Sequence, residues 1–164
     1  MADTMKNLAD AFAGESQANR KYLAFAEKAE EEGLSEVAKR FRVAAASETV
    51  HAINHLKVMG QVNDTAANIQ AAMGGENYEH TAMYPDFMEG AVAEGNEDAR
   101  FSFFAANEAE KFHEEMFSEA ADKLGDLGPS SFYVCQVCGM TYENDVPDAC
   151  VVCSAPKAEI KEVA

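Results

Sequence analysis

Basic residues are scarce. The 164 residues include 13 Lys and Arg against 29 Asp and Glu, a formal charge of −16. So few cations exclude a nucleic-acid partner, whose phosphates demand Lys and Arg, and disfavour an anionic membrane surface. No apolar run approaches the length of a membrane span. Met1-Ala2-Asp3-Thr4 leads into an amphipathic pattern with no basic segment and apolar stretch behind it, so no targeting signal is expected and the expected location is the cytoplasm. No Gly-x-Gly-x-x-Gly fingerprint for binding a dinucleotide is present. No cysteine occurs outside positions 135–153, which points away from a disulfide framework and towards a metal site. At 48% hydrophobic residues the chain has the means to pack a core. Its length suits one domain, or one with a small appendage.

What is present is a repeated pattern. Glu48-Thr49-Val50-His51 sets a carboxylate and an imidazole three residues apart, on one face of a helix, and Glu110-Lys111-Phe112-His113 does the same. Apolar stripes predict helix A over about 4–32, ended by Gly33, and helix B from the capping candidate Ser35 to about Met59. The pattern breaks over 60–75, where Asn63-Asp64-Thr65 is expected to cap a short helix through Met73 and the stretch to carry the chain across a bundle. Helix C is predicted over 75–94, with Pro85 kinking it or loosening one turn. Gly95-Asn96 forms the next turn, and helix D runs to about Leu124. The domains expected are a four-helix bundle over 1–125, a linker over 126–131, and a turn-rich, β-rich domain over 132–164.

Residues equidistant from the turn of an antiparallel helix pair come level. Glu15 and Glu48 are centred near Gly33, Glu79 and Glu110 on Gly95, and Glu76 precedes Glu79 by three residues on the same face. Two helices giving a Glu each and two giving Glu-x-x-His make a carboxylate-bridged dimetal site. The candidate ligands are Glu15, Glu48, His51, Glu76, Glu79, Glu110 and His113. Hard oxygen donors with imidazoles suit iron or manganese. Tyr22 and Tyr84 are placed to hydrogen-bond the carboxylates from outside, or simply to pack in the core. His80, Glu30-Glu31-Glu32 and Glu114-Glu115 are expected at the solvated surface, and His55 in the core or beside the ligands.

Cys135-Gln-Val-Cys138 and Cys150-Val-Val-Cys153 supply four thiolates at the spacing of a tetrahedral site for zinc or a single iron. Tyr133-Val134 before the first pair and Ala155-Pro156-Lys157 after the second resemble rubredoxin, an iron tetrathiolate electron carrier; a zinc ribbon is the competing reading.

Taken with Ala13-Gly14-Glu15-Ser16, Arg20-Lys21-Tyr22, Gly75-Glu76-Asn77-Tyr78-Glu79 and Met83-Tyr84-Pro85, the chain resembles the rubrerythrins along nearly its whole length. The resemblance implies an all-α, ferritin-like four-helix bundle with a diiron centre, and a small C-terminal rubredoxin-like domain that feeds it electrons. It implies reduction of hydrogen peroxide to water, with NAD(P)H electrons arriving through an external reductase or rubredoxin. It further implies Glu48 and Glu110 as bridges, Glu15 and Glu76 as terminal ligands and His113 as a ligand. Glu79 and His51 would exchange on the other iron as its redox state changes, and Tyr22 and Tyr84 would hydrogen-bond ligands. Val151, Ser154 and Met140 depart from the usual rubredoxin Pro, Gly and Tyr, which touches turn geometry and potential rather than ligation. The helix beyond His113 and the linker are long enough to set the thiolate iron far from its own chain's diiron centre, so a head-to-tail homodimer is expected. A ferroxidase or iron-handling role, and a non-catalytic scaffold with a zinc ribbon, are the alternative functions.

Overall fold

Asp3 starts the first helix. Its carboxylate accepts the N–H groups of Met5 and Lys6, and α1 runs Thr4–Glu31. The N–H of Gly33 bonds the Glu30 carbonyl and that of Leu34 bonds Ala29, closing the helix around a left-handed glycine at φ 73°. Helix α2 follows at Ser35–Val58. Ser35 does not cap it, contrary to expectation: the chain turns so tightly that Leu34 takes the cap position, and the Ser35 hydroxyl donates to Glu30 instead. This computed structural model describes residues 3–163, in two units that meet between Asn63 and Asp64.

In the first unit the seam between α1 and α2 is lined by buried Ala26, Ala29, Ala38, Ala45 and Ala52. Small side chains let the helices approach, but each alanine removes little surface from water, about 0.8 kcal/mol per methyl-sized group. Buried Asn19 fastens the seam: its Nδ2 donates to the Ala45 carbonyl at 2.7 Å and to Thr49 Oγ1 at 2.8 Å. Tyr22, Phe25 and Phe41 form an aromatic cluster above it, with Phe25 and Phe41 5.6 Å apart. Val37, Val43, Val50 and Ile53 stay exposed.

The second unit opens with α3, Thr65–Tyr78, capped by Asp64 through the N–H of Ala67. The helix capped at Asn63-Asp64-Thr65 is therefore present, but its expected end at Met73 and the expected new helix start at Gly75 are corrected. A capped segment rich in alanine, with Ile69, Gln70 and Met73, outweighs the roughly 1 kcal/mol that each of Gly74 and Gly75 costs in a helix. The helix widens into a π turn at Glu79–Met83 and resumes as α4, Tyr84–Glu94. The Tyr84 N–H reaches back five residues to the Glu79 carbonyl. This is the loosened turn expected from Pro85, which has no N–H to continue the ladder.

Gly95 at φ 69° and the Asn96 cap start α5, Glu97–Asp122. Tyr84, Phe87 and Phe103 form the aromatic cluster of this hairpin. His80 and Glu114, both expected at the surface, are half-buried and bonded to each other, with Asn77 Nδ2 donating to the second Glu114 oxygen at 2.9 Å. The two side chains satisfy one another's polar groups across the seam, which lets both be half-buried.

Beyond α5 lies an antiparallel sheet in the order β2-β1-β3, from β1 at Phe132–Cys135, β2 at Thr141–Glu143 and β3 at Ile160–Val163. Its core gathers Cys135, Cys150, Ala155 and Ile160, with Tyr133, Tyr142 and Val152 against them. Among the described residues no helix is long and apolar enough to cross a membrane.

Candidate metal centres

Each helical hairpin builds a cluster of the same composition. In the first, Glu15 of α1 meets Glu48 and His51 of α2, their ligand atoms all within 4.8 Å of one another. His51 Nδ1 lies 2.9 Å from Glu48 Oε2 and 3.9 Å from Glu15 Oε1. In the second, Glu76 of α3 meets Glu110 and His113 of α5 within the same 4.8 Å. His113 Nδ1 lies 2.7 Å from Glu110 Oε2 and 3.5 Å from Glu76 Oε2.

The correspondence extends past the ligands. Tyr22 and Phe25 follow Glu15 by seven and ten residues; Tyr84 and Phe87 follow Glu76 by eight and eleven. Phe41 and Phe103 each precede the Glu of the Glu-x-x-His pair by seven. The counterpart of Glu15 is therefore Glu76. Glu79 stands outside that three-residue group, at the start of the π turn. Tyr22 packs against Phe25 and Phe41, and Tyr84 against Phe87 and Phe103. His55 is half-buried on α2.

The electrostatics of the second cluster suit a bound cation. Burial, then the neighbouring Glu110, raises the Glu76 carboxyl above its ordinary range. Burial, then Glu76, raises Glu79. Burial raises the Tyr84 phenol, and Glu110, Glu79 and Glu76 add to it, so the phenol stays protonated beside three carboxyl groups. Glu76 Oε2 is buried with no hydrogen-bond partner. A buried acceptor left unpaired costs about 1–3 kcal/mol, and a metal ion relieves that cost while neutralising the crowded carboxylates. The donor set, carboxylates with one imidazole, fits iron.

The other face of His113 was not foreseen. Its Nε2 lies 2.9 Å from Oγ1 of buried Thr141, the first residue of β2. With Nε2–H donating to the hydroxyl, Nδ1 keeps its lone pair towards Glu76 and Glu110. The cysteine-bearing sheet thus touches the second cluster of its own chain. The expectation of a long separation within one chain is not met, and distance no longer calls for head-to-tail pairing.

Four free cysteines form the third cluster, with Cys135 Sγ 3.7 Å from Cys153 Sγ and Cys138 Sγ 3.5 Å from Cys150 Sγ. The two knuckles turn alike: the N–H of Gly139 bonds the Cys135 carbonyl at 2.9 Å, and that of Ser154 bonds Cys150 at 2.8 Å. Gly139 does so at φ 83° and Ser154 at φ 62°. Serine therefore holds a left-handed conformation where glycine would sit without strain. Tyr142 donates its hydroxyl to Cys150 Sγ at 3.2 Å and accepts the Val151 N–H at 3.1 Å. Proline at 151 would have no such N–H to give. Burial acts to raise Cys150, but the Tyr142 hydroxyl and the backbone N–H groups of Cys153 and Val152 outweigh it, bringing the thiol down to about 6. Burial pushes its neighbour Cys138 up. Thr141 and Tyr142 left no mark beyond lying three and four residues after Cys138; only the departures at Val151 and Ser154 hinted at rearranged turns.

Comparison with known proteins agrees with this construction. Residues 6–121 match the rubrerythrin family model, and residues 133–161 match the rubredoxin-like domain of rubrerythrin. The chain is 32% identical to rubrerythrin-2 of Clostridium acetobutylicum, over 95% of this chain and 94% of that protein. It is also 32% identical to nigerythrin of Nitratidesulfovibrio vulgaris, over 96% and 85%. Among solved structures it is similar to a mixed-valence state of nigerythrin, at TM-score 0.58 and 30% identity, covering 99% of this chain and 88% of that one. A fully reduced, all-ferrous nigerythrin gives TM-score 0.59.

Proposed function

Because the chain belongs to the rubrerythrin family, with a ferritin-like diiron part and a rubredoxin-like tetrathiolate iron, we propose that it is a peroxidase. It reduces hydrogen peroxide to water with electrons that an external donor, fed by NAD(P)H, passes through the tetrathiolate site. The family is one of oxidoreductases, and the observation that carries the finer reading is the two-faced His113. One ring nitrogen faces Glu76 and Glu110, and the other meets Thr141 beside the cysteine knuckles. A domain that only stored or oxidised iron would need no incoming electrons and no such contact, which sets the ferroxidase reading second.

In this reading Glu15, Glu48, His51, Glu76, Glu79, Glu110 and His113 hold two irons, and Cys135, Cys138, Cys150 and Cys153 hold the third. Two ferrous ions, when bound, supply the two electrons that cleave the O–O bond. Glu48 and Glu110, each with a His one turn on, would be the carboxylates shared between the two irons. Glu79 and His51 would be the exchangeable ligands, since Glu79 lies outside the tight cluster and His51 is half-exposed. Reduction of peroxide to two waters consumes two protons. Burial, then Glu76, raises Glu79, and burial, then Glu110, Glu79 and Glu76, raises the Tyr84 phenol, so both shifts act in favour of the protonated form. Tyr22 holds the matching place in the aromatic cluster of the first hairpin. The functional division is 1–125, 126–131 and 132–164. The chain works as a homodimer in the cytoplasm.

Rapid mixing of anaerobically reduced protein with peroxide tests this. Both centres should reoxidise at once with one peroxide per diiron site, and faster than with dioxygen; dioxygen the faster oxidant would favour iron oxidation instead. Glu110→Ala should remove the diiron signal and leave the red tetrathiolate. Peroxide turnover surviving that change would overturn the site assignment.

A further inference from the structure

Asn77, His80 and Glu114 form a polar group beside the second cluster, and the function above leaves them without a task. Asn77 Nδ2 donates to Glu114 Oε1 at 2.9 Å, and His80 Nε2 meets Glu114 Oε2. One carboxylate of α5 is thus gripped at both oxygens, by the last turn of α3 and by the π turn. We propose that Glu114 is a positioning residue. With Asn77 and His80 it clamps the π turn to α5, so that Glu79 goes on and off the cluster by moving its side chain while its backbone stays still. The proposal rests on the reading of Glu79 as an exchangeable ligand.

Each member of the clamp adjoins a ligand. Asn77 follows Glu76, His80 follows Glu79, and Glu114 follows His113. Glu76 and Glu79 stand three residues apart on one stripe of the helix, and Asn77 and His80 stand at the same spacing on the next stripe. Fixing the second stripe on α5 therefore fixes the height and rotation of the first. A π turn needs such a hold, being rare inside α-helices and found mostly at functional sites. This one has lost a rung of its ladder, because Pro85 has no N–H to give to the Thr81 carbonyl. Side chains support it instead. The Thr81 hydroxyl donates to the Asn77 carbonyl at 2.6 Å, and the clamp ties the turn from outside. Hydrogen bonds to a carboxylate are about twice as strong as those between neutral groups, which suits Glu114 to the task.

The first hairpin is built differently at the matching places. Setting Glu15 against Glu76 and Glu48 against Glu110 puts Ser16 opposite Asn77, Asn19 opposite His80 and Ala52 opposite Glu114. Ser16 bonds its own helix at the Phe12 carbonyl, and Asn19 bonds Ala45 and Thr49. Ala52 offers no acceptor. Ala18 stands where the second hairpin has Glu79, and α1 runs as α-helix through the whole stretch. Clamp, wide turn and additional carboxylate therefore occur together, in the one hairpin that has a ligand to move.

Amide hydrogen exchange of the full, iron-loaded chain tests this, followed over residues 79–84 with the diiron site oxidised and then reduced. Wild type should exchange alike in both states, because the clamp holds the backbone whether or not Glu79 is on iron. Glu114→Ala should exchange about tenfold faster over 79–84, the lower end for losing a hydrogen bond to a charged group, in the state that leaves Glu79 off iron. In the other state, where Glu79 is itself anchored, it should stay near the wild-type rate. His80→Gln keeps an N–H at the reach of Nε2 and should behave as wild type, while His80→Phe should behave as Glu114→Ala. Wild-type exchange at β1 shows that each variant has folded. Unchanged exchange over 79–84 in Glu114→Ala overturns the proposal. Equal acceleration in both states overturns it too, since the clamp would then be a stabilising contact and no more. So does His80→Gln behaving as His80→Phe. The reading beneath it fails separately: Glu79→Ala with the iron spectrum of wild type in both states would remove Glu79 from the ligands, whatever the exchange over 79–84.

Discussion

Replacing Tyr142 by Phe keeps the ring and removes one hydroxyl, and the structure assigns that hydroxyl a definite task. It donates to Cys150 Sγ at 3.2 Å while accepting the Val151 N–H at 3.1 Å. A hydrogen bond to a thiolate favours the state with more negative charge on sulfur, the reduced one, and so raises the potential. If the bond favours the reduced state by a net ~0.5–1 kcal/mol, its loss lowers the potential by roughly 20–40 mV, at about 59 mV per factor of ten for one electron. Val151→Pro should move the potential the same way by less, because the phenol keeps its donor and loses only the N–H that aims it. The assay is a redox titration of the full chain followed at the visible tetrathiolate band. An unchanged or raised potential in Tyr142→Phe would refute the reasoning. A fall in Val151→Pro larger than in Tyr142→Phe would show that the proline acts through the knuckle backbone instead.

Three further outcomes are expected. Thr141→Val removes the acceptor of His113 Nε2–H and should weaken diiron iron binding about tenfold, the lower end for losing a group that orients a metal ligand; unchanged iron titration would place the contact outside the site's function. Ser154→Gly relieves a left-handed serine and should stabilise the C-terminal domain by about 0.5–1 kcal/mol, read as a higher midpoint for loss of the tetrathiolate colour on heating; a lower midpoint would sink it. Glu114 is held below its ordinary value by His80 and then by Asn77. A depressed carboxyl contributes stability that is present above about pH 4.5, its ordinary value, and is lost as pH falls through the folded value. Glu114→Gln should therefore flatten the acid limb of the stability profile below that pH, and a profile parallel to wild type would count against it.

The ligand clusters were legible because their chemistry is written at helical spacing. Glu-x-x-His admits few other readings on an apolar face, and two Cys-x-x-Cys pairs admit fewer. The helix ends at Gly33 and Gly95 were legible for the same local reason. What failed was non-local or cumulative. Gly74-Gly75 looked like a boundary because glycine is weighed residue by residue, whereas a capped run of good helix formers carries it. His80 and Glu114 are 34 positions apart, so their pairing across the seam leaves no trace in either neighbourhood. Thr141 meets His113 only because a sheet folds back against α5. Pro85 announced a disturbed turn but not its form.

That form has a further consequence. Glu15 to Tyr22 is seven residues and Glu76 to Tyr84 is eight, yet each tyrosine reaches the equivalent aromatic cluster. The π turn at Glu79–Met83 absorbs the surplus residue. The two hairpins thus present equivalent clusters on stretches that differ by one residue in length. The wide turn and the unmatched carboxylate Glu79 lie on that same stretch. The wide turn is thus what lets the second hairpin carry one carboxylate more than the first while keeping its tyrosine in place.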